Sequence, residues 1–162
     1  MYKNREIARM KFATNTVEHP MGAHRRYIFM ALDDELAVIL DTRLKAVRGF
    51  INTDCIEIAR RLPCFAYQND NHRFTFKYNE YNTTISLAIA ISCYKSGFFS
   101  SKMYHVHHIF NVCDNRIEKL QRVTPYSIHK PVYHDSNEYI EMVLGEKGYT
   151  VDEVLEMFGL KR

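Results

Sequence analysis

Hydrophobic and polar positions along the chain fall into short patterned segments. Residues 4–12, NREIARMKF, predict a short basic helix capped by Asn4, and residues 13–24, with Pro20 and Gly22, predict a loop. Two apolar runs, 26–32 and 36–40, flank Asp33, Asp34 and Glu35, as in a hairpin with an acidic turn. Asp54 followed by Glu57 resembles a capping box, so 54–62 predicts a helix stopped by Pro63. After a polar turn at 68–72, residues 73–78 alternate as a strand does, and 79–82 read as another turn. The apolar run 84–94 suits a buried strand or a buried helix, and its alanines and length favour helix.

Further on, 97–102 predicts a loop and 104–109 a short strand. Residues 114–121 predict a polar turn leading into Arg122 and Val123. Thr124-Pro125 would start a helix, which Pro131 would interrupt soon after His129. The end of the chain predicts two helices, 137–144 capped by Ser136 and 151–158 opened by the capping box of Thr150 and Glu153. Gly145 and Gly159 would end them. These segments predict one compact α+β domain with a helical C-terminal tail.

Composition narrows this only slightly. With 162 residues, 46% of them hydrophobic, the chain can bury a core without disulfides. The four cysteines, Cys55, Cys64, Cys93 and Cys113, form no C-x-x-C pair. That argues against a zinc ribbon and fits a reduced cytoplasmic setting. No apolar run approaches the roughly 20 residues of a membrane helix, and the charged start, MYKNREIARMK, lacks the apolar core of a secretory signal. No membrane partner is expected.

Net charge is +3, with the basic excess in residues 1–135 and an acidic balance in 136–162. This permits a nucleic-acid partner without requiring one. It also makes the acidic tail a contact surface for a host protein in a third reading. Aromatics beside basic residues, as in Arg73-Phe74 and Phe76-Lys77-Tyr78, could stack on unpaired bases, although core packing is their commoner use. The last helix looks like the first helix of a helix-turn-helix, but the chain stops before a reading helix, which favours simple packing.

Histidine placement changes the picture more. Five of the eight histidines, at 105, 107, 108, 129 and 134, lie within thirty residues of one another, and imidazole both ligates metals and titrates near neutral pH. On a strand, His105 and His107 share one face and His108 takes the other. One member of the adjacent pair can then hold an ion while its neighbour faces a substrate.

The stretch His107-His108-Ile109, Asp114-Asn115-Arg116-Ile117, Leu120-Gln121 and Val123-Thr124-Pro125 resembles the HNH, or ββα-metal, nuclease family of phages and homing elements. The resemblance spans residues 84–134, with 1–83 as an N-terminal α+β part and 136–162 as the tail. It implies a metal-dependent DNA endonuclease or nickase, encoded by a phage or mobile element and acting in the host cytoplasm. His107 would ligate a divalent metal (Mg or Zn), His129 would be a second ligand and His134 or Asp135 a third. His108 would be the general base that activates water. Arg116, Lys119, Arg122, Arg25 and Arg26 are candidate DNA contacts.

The family's middle Asn falls on Lys119, and Asn115 takes its place only with the loop shifted. The helix histidine comes one residue late, at His129 instead of Ile128. These departures support an alternative, a non-catalytic DNA-binding protein on a degenerate nuclease scaffold. For Asp114-Asn115 the plain reading is an ordinary turn pair.

Overall fold

The computed structural model describes residues 26–60, 66–68, 73–78, 83–96, 105–123 and 130–162. The readings for 4–12, 13–24 and 97–102, the turns within 69–72 and 79–82, and the helix from Thr124 lie outside these residues. So do Arg25, Cys64 and His129.

The predicted hairpin is present. β1 (Tyr27–Ala31) pairs antiparallel with β2 (Leu36–Asp41). Its turn is shaped by Asp33, whose carboxylate accepts from the N–H groups of Glu35 (2.8 Å) and Leu36 (2.7 Å). A third strand, β3 (Ala46–Asn52), pairs on the other side of β2. It explains why every residue of β2 is buried. A middle strand covered on both faces has no solvent side, so its apolar run does not alternate.

Leu36, Val38 and Leu40 pack into one core and Ala37 and Ile39 into another. The sheet therefore separates two cores. Beyond β3 the chain forms a 3₁₀ turn at Thr53–Cys55 and the short helix α1 (Ile56–Arg60). Asn52 stands at the cap position of that turn, and its side chain makes no capping bond there. The expected capping box of Asp54 is thus absent: its carboxylate pairs with Lys95 instead. A second antiparallel sheet follows, in the order β4 (Ala66–Gln68), β5 (Arg73–Tyr78) and β6 (Thr83–Ser86).

The ambiguous run at 84–94 divides between both options. Its start completes β6, and α2 (Leu87–Ser96) takes the rest. Leu87, Ala90 and Ile91 of α2, with Phe74 of β5, meet Tyr27, Phe29 and Ile39 in the first core. Phe74 is a core residue, edge-to-face with Tyr27 at 5.3 Å between ring centroids. That is the packing use weighed against base stacking.

The hairpin β7 (His105–His108) and β8 (Leu120–Val123) pairs antiparallel, and a 3₁₀ turn at Ile117–Lys119 leads into β8. Finally, α3 (Ser136–Glu146) and α4 (Val151–Met157) cover the opposite face of the first sheet. The cap of α3 is Asp135, one residue before the predicted Ser136, and it accepts from the N–H groups of Asn137 and Glu138. The predicted capping box of Thr150 and Glu153 opens α4. α3 runs past Gly145, and it is Gly148 that takes positive φ (85°), while Gly159 does so after α4 (74°). The class is α+β. Among the described residues, no helix is long and apolar enough to cross a membrane.

Candidate functional site

The two histidines of interest end β7, where pairing with β8 sets their register. His107 stands opposite Gln121 and His108 opposite Leu120. Alternation along the strand sends His107 and His108 to opposite faces, with His107 half-buried and His108 buried. Beyond His108, the N–H of Ile109 donates to the carbonyl of Lys119 (3.1 Å), closing the hairpin around residues 109–119.

This connecting loop is held on several sides. Along one edge it adds to β3: the Phe50 N–H donates to the Cys113 carbonyl (3.1 Å) and the Asn115 N–H to the Phe50 carbonyl (2.9 Å). The approach is close enough that a Cβ at Gly49 would collide with the Cys113 carbonyl. At the end of β3, Asn52 accepts from the Ile117 N–H (2.8 Å) and donates to the Glu118 carboxylate (2.7 Å). Toward the C-terminal helices, the Asn111 amide donates to the Tyr133 carbonyl (2.7 Å). Its oxygen accepts from the Cys113 N–H (2.9 Å) and the Ser136 hydroxyl (2.8 Å). The segment before α3 also runs against the loop, with the N–H groups of Val132 and Tyr133 donating to the carbonyls of Ile109 and Phe110.

Inside this frame, Asn115 meets His108. Asn115 Oδ1 lies 3.0 Å from His108 Nε2, and both residues are buried. The amide orientation follows from its other bond, because Asn115 Nδ2 donates to the Cys113 carbonyl (3.3 Å). Oδ1 therefore faces the imidazole, and an oxygen acceptor requires Nε2 to carry a proton. In the neutral ring the lone pair is then on Nδ1.

Next to Asn115, Asp114 is fully buried and paired. Arg116 donates to its two oxygens, from Nε (2.9 Å) and Nη2 (2.7 Å), and Tyr139 of α3 donates its hydroxyl at 2.5 Å. The Arg116 guanidinium also lies 5.7 Å from the Phe50 ring centre. Burial works against the charge of Arg116, but Asp114 outweighs it and raises the guanidinium pKa. Burial, with the charge of Asp114 and the hydrogen bond to it, raises the Tyr139 phenol well above its ordinary range. Burial also raises the Cys113 thiol and, helped by the charge of Asp54, pushes Cys55 up to about 12. Neither thiol is a ready nucleophile at neutral pH.

The remaining candidates are placed as follows. Arg26 is taken up by the buried carboxylate of Asp41, with Nη2 at 3.0 Å from Oδ2. Burial opposes ionisation of Asp41, yet Arg26 and the N–H groups of Leu44 and Arg43 lower its pKa below the ordinary value. Lys119 lies with Nζ 4.9 Å from the Phe110 ring centre. His134 is exposed, just ahead of α3. His129, Arg25 and the side chains of Arg122 and His105 are outside the described residues.

Among the described residues, no three His, Cys, Asp or Glu side chains gather as a metal site. Of the expected ligands, His107 and His134 are among the described residues and His129 is not. The sequence offers Asn115 as a turn residue or, with the loop shifted, as the family's middle Asn; it offers Ser136 only as a helix cap and gives no role to Asn111 or Tyr139. The dense polar run Asp114-Asn115-Arg116 was the available signal. Comparison with protein-family models, with curated proteins and with solved structures finds no match to this chain.

Proposed function

We propose that the protein is a DNA endonuclease or nickase of HNH type, with His108 as general base. The observation that carries this reading is the braced imidazole. A histidine at the end of a β-hairpin strand has its Nε2 edge bound to Asn115. Nδ1 is thereby the unprotonated nitrogen of the neutral ring, the one that would accept a proton from water as that water attacks a phosphodiester phosphorus. The resemblance of His107-His108, Asp114-Asn115-Arg116 and Val123-Thr124-Pro125 to the family supports the same assignment. The contact of Asn115 with His108 supports reading Asn115, in a shifted loop, as the family's middle Asn. In the family's pattern a divalent metal would be held by His107 with His129, and that part of the proposal rests on the sequence alone.

Purified protein with magnesium or manganese should convert supercoiled plasmid to nicked circle. His108→Ala should slow the conversion by about 10²–10⁴-fold, the usual worth of a positioned general base. Equal inertness of both proteins over a range of divalent metals would remove the enzyme reading.

Two sequence features favour a second reading, a DNA-binding protein without catalysis: the helix histidine falls one residue late, at His129, and residues 1–135 carry a basic excess. That protein would shift DNA in gels at low salt and release it steeply as salt rises, because phosphate contacts displace counterions. It would nick nothing with any metal.

A further inference from the structure

The C-terminal helices and the histidine hairpin are far apart in sequence, yet the first turn of α3 enters the loop that braces His108. Ser136 donates its hydroxyl to Asn111 (2.8 Å), and Tyr139 donates its phenol to Asp114 (2.5 Å). Asn111 and Asp114 are the two ends of one tight turn, in which the Asp114 N–H donates to the Asn111 carbonyl (3.0 Å). Asn115 follows directly, and its side chain holds the His108 ring. Arg116 fixes the same Asp114 carboxylate from the other side. All four of Asn111, Asp114, Asn115 and Ser136 are buried, so water is a poor substitute for any missing partner.

We infer that Ser136 and Tyr139 are positioning residues for His108, acting through Asn111, Asp114 and Asn115 to hold its ring with the proton on Nε2. Helix α3 is then part of the site as well as part of the core. The consequence for catalysis rests on the nuclease reading, whereas the consequence for the ring does not.

The test is nitrogen NMR of the His108 imidazole in the full chain. In the wild-type protein one ring nitrogen, Nε2, should be protonated and the other not. Tyr139→Phe removes the phenolic donor and keeps the ring volume. It should draw the two nitrogen signals toward each other as the tautomers mix. Val143→Ala, on the same helix and in the same core but without a side-chain hydrogen bond to the loop, should leave both signals in place. If Tyr139→Phe does not fold, Ser136→Ala carries the same test. Unmoved signals in the folded donor variant, or equal movement in Val143→Ala, would overturn the inference. A protein that shows the expected shifts but nicks no DNA would refute the nuclease reading and leave this positioning role standing.

Discussion

Gly49 is required by the close passage of another backbone. Its α-carbon lies against the Cys113 carbonyl at the point where β3 binds the loop. Gly49→Ala is expected to lower stability by about 1–3 kcal/mol, the range for overpacking a closed site, as measured by urea unfolding. A fully stable Gly49→Ala protein would mean that β3 and the loop are not zipped together. The sequence shows a glycine at 49, but neither its strand nor the carbonyl that faces it. The same limit applies to the arginines. Arg26 and Arg116 read as free cations for phosphate, and each is bound to a buried aspartate, Asp41 and Asp114. The Arg26–Asp41 pair joins two strands and has no local signature, whereas Arg116 pairs with a carboxylate two residues before it. His108 was legible because a family pattern surrounds it, whereas its partner Asn115 was one of two readings, since the pattern's spacing falls on Lys119 and Asp-Asn is commonly a turn.

Local signals read well where the structure is local. The Thr150 capping box, the Asp33 turn and the alternation of 73–78 all depend on neighbours in sequence. They failed where a distant group competed, as when Lys95 takes the Asp54 carboxylate from its expected cap. One such distant pair links the first hairpin to the end of α3, where Lys147 lies 2.8 Å from Asp33. The hydrogen bond to Lys147 is the main reason Asp33 titrates at about 2 instead of 3.8, with the Leu36 N–H contributing next. A carboxyl depressed in the folded state adds stability above its unfolded pKa, and that stability is lost as pH falls through the folded value. Asp33 should therefore help the fold above about pH 4 and cease to help between about pH 4 and pH 2. Lys147→Met should raise the Asp33 pKa toward 3.8, read by carbon NMR of its carboxyl. An unchanged titration would mean that the turn N–H groups alone set it.

For the whole molecule, the decisive feature is that the first sheet is covered on both faces. The acidic segment 136–162 supplies Tyr139, Ile140, Val143, Leu144, Val154 and Leu155 to the second core, and its exposed carboxylates lie on the outer face. Deleting this segment would uncover Leu36, Val38, Leu40 and Phe50 and should abolish cooperative thermal unfolding by circular dichroism. A truncated chain that still melts cooperatively would show the helices to be an appendage. Partner capture through the acidic face is therefore better tested by charge reversal than by truncation. The layered arrangement also explains why the braced imidazole was only half legible. The hairpin and its histidines are contiguous in the chain, but the groups that hold the loop come from β3 and α3. The account rests on His108 acting as an oriented base, and the most direct test is the plasmid-nicking rate of wild type, Asn115→Ala and His108→Ala under one metal and pH. The prediction is a graded loss, roughly tenfold to a hundredfold for the misaligned ring of Asn115→Ala and a larger one for His108→Ala. Nicking by His108→Ala at the wild-type rate would contradict it.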